Sequence, residues 1–371
     1  MKLVATRQLN GYPLELATLA DEVLVQISRE GVTFLESYDA RLTLRWSKRL
    51  EAGASVLLTV NQTPWVFDPE GAWACGDGGE CLARVRARPH EGMRLAALGP
   101  VSDGFVFAWQ HDIRTPMRPP VLERVDHDGT IRWSVVLPVG SVGYKGVVQM
   151  RADKGWKPRP MNPWVPETWF STSQRLTVSG DAVLVCFNDM PRSGIGFGYV
   201  VCLTDGALRF LTQRGPISKV AALGEGAFLV GYQGYGAFET LQYDRDGCVP
   251  ERWSSHGYYV IDESVRVIEL ENTIPSKMHL ARLLPGGTVK KGDWLDGYYT
   301  SEPLLGSDGI VYFFRNGVVR AARGLVIVEQ LALTAPDNML VSTEVVGGER
   351  GFYLAYARIG GRDGSLVRID L

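Results

Sequence analysis

Histidine beside a carboxylate is the first pattern in this sequence that could perform chemistry. His111 and Asp112 are adjacent, while Asp189 and His256 stand in other segments of the chain. A histidine that contacts a carboxylate can act as a general base, and loops on one face of a fold can bring distant residues together. These four residues are therefore the candidate catalytic groups of an acid–base enzyme, although adjacency in sequence does not establish a pair in space.

A second chemical pattern combines aromatic residues with arginine. The segment 155–170, GWKPRPMNPWVPETWF, holds three tryptophans and four prolines. Proline stiffens a loop, and tryptophan offers a large contact area with a polar N–H. Such a segment is either a lid packed on its own fold or a binding surface, and its cations are either solvated or suited to a carboxylate or an acidic peptide. The candidate binding residues are Trp109, Arg114, Arg118, Tyr144, Trp156, Arg159, Trp164, Trp169, Arg192, Tyr258 and Tyr298.

Several other chemistries are not expected. The sequence contains no H-x-x-x-H pattern, no P-loop and no G-x-S-x-G. Its cysteines are dispersed and include no C-x-x-C pair, which is typical of reduced thiols and not of zinc ligands. These five residues are Cys75, Cys81, Cys186, Cys202 and Cys248. We therefore predict neither a metal site nor a bound cofactor.

Composition limits the class of protein. Of the 371 residues, 45% are hydrophobic and 22% are charged, and the net charge is −2. These values are typical of a globular protein and show no basic surplus for nucleic acid. No apolar run is long enough to span a bilayer, and Arg7, Gln8 and Asn10 interrupt the N-terminal region where a signal peptide would lie. We expect a cytoplasmic monomer that binds neither nucleic acid nor membrane.

The elements that must position these residues are short strands. Apolar residues alternate in runs such as DEVLVQIS and GFYLAY, bounded by turn residues. A strand, a turn such as Asp-Gly and a second strand recur with a period of about 40 residues, which predicts four-stranded units in a β-propeller. The second residue of each turn is the landmark of its repeat. These landmarks are Ala40, Gly79, Gly129, Gly206, Gly247, Gly287 and Gly324.

The chain termini predict one more unit. The last three strands lack an outer partner, and the N-terminal KLVATRQL (2–9) can supply it and remove two free edges. We therefore predict an all-β fold of one domain, 1–371, with eight four-stranded blades closed by the N-terminal strand. Seven blades is the alternative.

The outer strands of the repeats end in an aromatic residue. Trp46, Trp133, Trp253 and Trp294 follow their turns at this place, and the pattern resembles the quinoprotein-like, or pyrroloquinoline-quinone-like, propeller family with its docking tryptophans. The resemblance implies the fold over nearly the whole chain. It does not extend to the adjacent cysteine pair of quinoprotein dehydrogenases, so it implies no quinone cofactor. Members of the family that assemble partners are the closer analogy.

Departures from the repeat predict where a site lies. Two landmark intervals are long, at 50 and 77 residues, and the additional residues fall in 109–120, 137–168 and 188–198. If 174–180 is the inner strand of the fourth blade, all three insertions emerge on one face, which is where repeat proteins usually bind. If 146–152 is that strand, the Trp/Pro insertion at about 137–170 lies on the opposite face.

These patterns favour a binding scaffold. The loop-decorated face of blades 3–5 would meet a protein or peptide partner. The alternative is a non-redox enzyme of lyase, isomerase, cyclase or hydrolase type, which would hold a small molecule in an aromatic-lined pocket on that same face. Tyr12, Tyr258 and Tyr298 lie in segments that each open an inner strand; they either surround the channel entrance or fill the interface between blades.

Overall fold

The structure of the chain is a computed structural model. It describes residues 1–371 except for 20–21, 51–55, 61–62, 69–70, 87–89, 112–119, 138–168, 172–175, 190–194, 215–216, 235–236, 255, 261–265, 272–276, 296–300, 302, 336, 338–339 and 349–350. The described residues form 33 β-strands and a single 3-10 turn, Pro285–Gly287. The prediction of an all-β chain is confirmed.

The described strands form eight sheets, numbered here in chain order, and the first three each have four consecutive antiparallel strands. Sheet 1 contains β2 (Tyr12–Leu19), β3 (Glu22–Arg29), β4 (Val32–Tyr38) and β5 (Leu44–Arg49). Sheet 2 contains β6 (Val56–Val60), β7 (Thr63–Asp68), β8 (Gly71–Cys75) and β9 (Cys81–Arg86). Sheet 3 contains β10 (Met93–Val101), β11 (Gly104–His111), β12 (Val121–Asp126) and β13 (Ile131–Val136). Sheet 4 contains β14 (Trp169–Ser171), β15 (Thr177–Ser179), β16 (Ala182–Asp189), β17 (Ile195–Cys202) and β18 (Leu208–Arg214). Sheet 4 departs from the predicted four-stranded plan, because it has five strands and both β14 and β15 pair with β16.

The second half of the chain repeats this plan. Sheet 5 contains β19 (Ile217–Gly224), β20 (Ala227–Gly234), β21 (Ala237–Tyr243) and β22 (Glu251–Trp253). Sheet 6 contains β23 (His256–Val260), β24 (Arg266–Glu271), β25 (Lys277–Leu284) and β26 (Thr288–Leu295). Sheet 7 contains β27 (Leu304–Leu305), β28 (Ile310–Arg315), β29 (Val318–Arg323) and β30 (Val326–Ala332). Sheet 8 contains β31 (Leu340–Gly348), β32 (Gly351–Arg358), β33 (Gly364–Asp370) and, as its fourth strand, β1 (Lys2–Leu9).

The N-terminal strand completes the last sheet. β1 pairs antiparallel with β33, from Lys2 opposite Asp370 to Leu9 opposite Gly364. The pairing gives both strands a hydrogen-bonded neighbour. It confirms the predicted closure, and eight sheets among the described residues agree with the favoured number of eight blades.

The chain divides into two compact units. Unit 1 comprises residues 1–84, 259–284 and 289–371, and unit 2 comprises 85–258 and 285–288. The prediction of a single domain stays a prediction, and each unit is described below by itself.

Burial follows strand position within the sheets. The second strand of sheet 1, β3, is buried over most of its length, whereas the fourth strand, β5, alternates between exposed and partly buried residues. In unit 1, Val23, Val25 and Ile27 of β3 pack with Leu366 of sheet 8. A strand that is apolar on both faces packs between neighbouring sheets, which explains why the second strands of the repeats read as continuous apolar runs.

Glycine takes a positive φ at the turns that join third to fourth strands. Gly79, Gly129, Gly206 and Gly247 have φ between 75° and 86°, and Gly287 and Gly324 also lie in this region. In sheet 1 the landmark was wrong, because Leu42 and not Ala40 has the positive φ, at 60°. Leu42 donates its N–H to Asp39 O as Gly129 does to Asp126 O, so the repeat tolerates a buried leucine at the glycine position.

Outer-strand aromatics dock on the turn of the next sheet. In unit 1, Trp46 Nε1 donates to Asp77 O at 2.5 Å, and its ring lies 3.0 Å from where a Cβ of Gly79 would be. In unit 2, Trp133 Nε1 donates to Leu203 O at 2.8 Å. Phe210 replaces the tryptophan in sheet 4, where its ring covers Gly247. Trp294 differs, since it is 44% exposed and its ring meets His279 edge-on at 5.1 Å.

Candidate functional site

The ends of the predicted insertions in sheet 3 lie at one end of its strands. His111 ends β11 and stands opposite Met93, the first residue of β10. Leu137 donates its N–H to Pro120 O at 2.8 Å, so the residues that flank 112–119 and precede 138–168 are neighbours. Both insertions therefore leave sheet 3 at the same end.

Sheet 4 shows the same arrangement. Trp169 pairs with Asp189, and Asp189 also pairs with Ile195, which places the end of 138–168 beside both ends of 190–194. The strand that follows, β15, pairs with β16 from Thr177 to Ser179. Of the two alternatives for the inner strand, the segment 174–180 contains β15, which pairs with β16 as β14 does, and the segment 146–152 lies outside the described residues.

The opposite ends of sheets 3 and 4 meet through their turns. Arg124 donates to Leu203 O at 2.6 Å and forms an ion pair with Asp103 at 2.7 Å. The turns at Asp103 and Leu203 thus share one edge of unit 2. Because successive strands are antiparallel, the insertion ends lie at the other edge. We call this second edge, marked by His111, Pro120, Leu137, Trp169 and Asp189, the insertion edge.

A buried carboxylate lies close to the insertion edge of sheet 3. Glu123, on β12, is 3% exposed. Its Oε1 accepts a hydrogen bond from Ser134 Oγ at 3.1 Å and contacts His90 Nε2 at 2.9 Å, while Oε2 accepts one from Trp109 Nε1 at 3.1 Å. Several partners compensate for the loss of water around the carboxylate.

His90 completes this cluster from outside the sheet. It precedes β10, its side chain is 35% exposed, and its ring packs edge-on against Trp109 with centroids 5.7 Å apart. Glu123 orients the imidazole through Nε2, so Nδ1 is the nitrogen that Glu123 does not engage. A histidine held by a buried carboxylate is the usual arrangement of a general base and is equally suited to an ion pair.

The predicted catalytic residues are only partly described. His111 and Asp189 end β11 and β16, and His256 begins β23, but their side chains lie outside the described part. Asp112 lies outside the described residues altogether. The catalytic roles stay predictions.

The predicted binding residues divide in the same way. Trp109 is 1% exposed and donates to Glu123, so it packs as a core side chain beneath the insertion edge. Trp169 stands opposite Asp189, and Tyr258 lies in β23. Eight of the predicted binding residues lie outside the described residues. They are Arg114, Arg118, Tyr144, Trp156, Arg159, Trp164, Arg192 and Tyr298.

Sequence reasoning missed the His90–Glu123 pair. A signal was present, because Glu36 and Glu123 stand at the same distance before Trp46 and Trp133 in their repeats. The third strands of these sheets are mostly buried, and a carboxylate buried there needs a hydrogen-bond donor or a cation as its partner. Nothing in the sequence identifies His90 as that partner, since it lies 33 residues away.

Two kinds of site find no support among the described residues. No group of three or more His, Cys, Asp or Glu side chains in that part of the chain could hold a metal ion. The helical structure described there is too short and too polar to cross a membrane.

Comparisons with known proteins give the fold. No family model and no curated protein sequence matches the chain. The chain is similar in structure to BamB from Moraxella catarrhalis, with a TM-score of 0.52 and 12% identity over 99% of this chain and 97% of that one. It is similar to quinohemoprotein alcohol dehydrogenase from Comamonas testosteroni, with a TM-score of 0.58 and 9% identity over 99% and 76%. The Pan2 WD40 domain of Neurospora crassa matches with a TM-score of 0.51 and 9% identity over 99% and 94%.

The fold is a β-propeller. The similarity to the quinohemoprotein confirms the predicted resemblance to quinoprotein-like propellers. At these identities the likeness establishes the fold alone, and function must be argued from the site.

Proposed function

We propose that this chain is a cytoplasmic binding scaffold whose insertion edge, in blades 3–5, receives a protein or peptide partner. The observation that carries the proposal is the gathering of the flanks of three insertions, 112–119, 138–168 and 190–194, at one edge of two neighbouring sheets. In repeat folds, insertions confined to one side usually build the binding surface, because the regular strands and turns position them without being altered.

The residues beneath that edge are buried and hydrogen-bonded. Trp109 and Glu123 are buried and hydrogen-bonded to each other, and Leu176 N donates to Leu98 O at 2.6 Å between sheets 3 and 4. When the residues that anchor a loop are already ordered, the loop loses less conformational entropy on binding. The aromatic and basic residues of the insertions supply the types that dominate binding energy at interfaces.

Site-specific photo-crosslinking tests this proposal. A photoreactive amino acid at Trp164 should give a discrete crosslinked partner from the native cell extract, and the same probe at Asp205, an exposed turn residue on the opposite edge, should not. Excess unlabelled protein should compete the band away, whereas excess protein with 138–168 replaced by a short Gly-Ser linker should not. Equal crosslinking from both positions, or none from Trp164, would contradict the proposal.

The His90–Glu123 pair supports a second function, an acid–base enzyme acting at the same edge. The partly exposed imidazole of His90 is oriented by Glu123, which suits proton abstraction from a bound small molecule. His90→Gln removes the base and retains a polar side chain. Mass spectrometry of a metabolite extract incubated with the unaltered protein should show a turnover that the variant lacks, and identical profiles would argue against catalysis by His90.

A further inference from the structure

A cavity of about 470 Å³ opens in unit 1. Three connections meet there: Asn10 and Gly11 between β1 and β2, Glu30 between β3 and β4, and Arg362 and Asp363 between β32 and β33. Its volume lies within the range of small-molecule sites. Neither the proposed partner surface nor the His90–Glu123 pair includes any of these residues.

One wall of the cavity is held rigidly by Arg29. Its Nε donates to Asn10 O, and its Nη2 donates to Glu36 Oε1 at 2.6 Å. Its guanidinium also lies 4.9 Å from the ring centroid of Phe34. An arginine fixed by a carboxylate, a carbonyl and an aromatic ring is organised before any ligand arrives, which reduces the entropy lost on binding.

Glycine is required where the chain enters this cavity. Gly11 has a φ of 138°, and a Cβ there would lie 2.5 Å from Ile27 Cγ2 and 2.7 Å from Arg29 Cγ. Any larger residue would displace the Arg29 wall. The cavity is therefore built by the backbone as well as by side chains.

The charges of the lining balance. One side contributes Arg29 and Glu30 and the other contributes Arg362 and Asp363, so each side offers one cationic donor and one anionic acceptor. The charge of Arg29 is opposed further by the buried Glu36. Such a lining favours neither an anion nor a cation. It favours a neutral ligand whose groups both donate and accept hydrogen bonds, as hydroxyl groups do.

Tyr12 adds an aromatic surface to the polar lining. It begins β2, is partly buried and lines the cavity with Asn10 and Ser28. A pyranose ring has an apolar face of C–H groups and an edge of hydroxyls, so it can pack on the tyrosine while its hydroxyls meet the arginines and carboxylates.

We propose that this cavity binds a saccharide of one or two units. The ring packs on Tyr12, and its hydroxyls are shared between Arg29 and Glu30 on one side and Arg362 and Asp363 on the other. The site is distinct from the insertion edge, which belongs to unit 2.

Ligand-observed NMR and titration calorimetry test the proposal on the full chain. The probes are glucose, N-acetylglucosamine, maltose and cellobiose at millimolar concentration, with glutamate and lysine as charged probes. At least one saccharide should bind saturably, and the charged probes should not. Failure of every saccharide to bind, or preferential binding of a charged probe, would overturn the proposal.

Matched variants locate the binding. Tyr12→Ala should weaken saccharide affinity about tenfold, while Tyr12→Phe, which keeps the ring, should stay close to the unaltered protein. Arg362→Gln and Asp363→Asn change exposed side chains at a turn, so they keep the fold and should each weaken binding several-fold. Saccharide binding that none of these variants alters would place the ligand elsewhere and contradict the assignment.

Discussion

Sheets 1 and 3 contain the same buried carboxylate in two different settings. Glu36 on β4 and Glu123 on β12 occupy equivalent positions before Trp46 and Trp133, and they are 1% and 3% exposed. Each accepts a hydrogen bond from the serine that follows its tryptophan, Ser47 at 3.0 Å and Ser134 at 3.1 Å. The repeat thus supplies both the acid and one of its donors.

The other partners differ. Glu36 accepts hydrogen bonds from Arg29 at 2.6 Å and from Tyr38 OH at 2.5 Å. Glu123 instead contacts His90 Nε2 and accepts a hydrogen bond from Trp109. Guanidinium is always charged, but imidazole can lose its proton. One repeat position therefore pairs with an arginine at the wall of the unit 1 cavity and with a histidine beneath the insertion edge. The repeat sets the position of the buried carboxylate, and residues outside the repeat pattern set which side chain pairs with it.

Removing the charge of each carboxylate should give the largest contrast. Glu36→Gln removes the carboxylate that is paired with Arg29, whose side chain is only 24% exposed, and should lower the free energy of unfolding by roughly 3 kcal/mol. Glu123→Gln should cost about 1 kcal/mol, because its donors Trp109 and Ser134 are neutral groups. Urea-induced unfolding measures both. Equal losses of unfolding free energy in the two variants would show that the identity of the partner, Arg29 or His90, does not affect stability.

Tyr38 should make the stability of the Glu36 cluster depend on alkaline pH, and among the described residues the Glu123 cluster has no phenol that would do the same. Burial and the hydrogen bond to Glu36 raise the pKa of Tyr38 above its ordinary value. Its contribution to stability is therefore present below about pH 10, the unfolded value, and is lost as the pH rises through the folded value. The Trp109 indole of sheet 3 does not titrate in this range. Tyr38→Phe should cost about 1.5 kcal/mol at neutral pH.

Unfolding followed from about pH 8 to about pH 11 checks the alkaline effect. The stability of the unaltered protein should fall more steeply than that of Tyr38→Phe above pH 10, so the gap between them should close. A gap that stays constant through this range would mean that Tyr38 titrates as it does in the unfolded chain.

The shared serines should give the smallest effects. Ser47→Ala and Ser134→Ala each remove one hydroxyl donor from a buried carboxylate that keeps two others, and each should cost about 1 kcal/mol. Because these donors belong to the repeat, their costs should agree within about 0.5 kcal/mol. Chemical denaturation of the two variants side by side makes this check, and a clear difference would show that the two repeats are not equivalent even in their common part.

The local parts of the fold were predictable. Asp-Gly turns and alternating apolar runs identified the sheets, since both patterns depend on neighbouring residues and have direct backbone consequences. Leu42 was the exception, because a leucine in the left-handed region cannot be read from its type. The inner strand of sheet 4 had two alternatives in the sequence; Thr177–Ser179, within the first, pairs with β16, and the second, 146–152, lies outside the described residues.

The candidate sites were less accessible to sequence reasoning. Trp109 is an aromatic residue in a region of insertions, which made it a candidate for binding, and it lies buried against Glu123. His90 carries no local signal of its role, because its partner lies 33 residues away. The cavity of unit 1 joins Asn10 to Asp363, residues from opposite ends of the chain that share no local pattern.

By itself, the sequence determined the strands, the period of the repeat, the closure by β1 and the docking of Trp46 and Trp133, because each follows from local alternation or from turn geometry. Only the tertiary structure decided which side chains meet, Arg29 with Glu36 and His90 with Glu123, and which connections line the cavity. The physical reason is that a buried charge must find a partner wherever folding places one, and that partner is set by packing between elements, not by spacing along the chain.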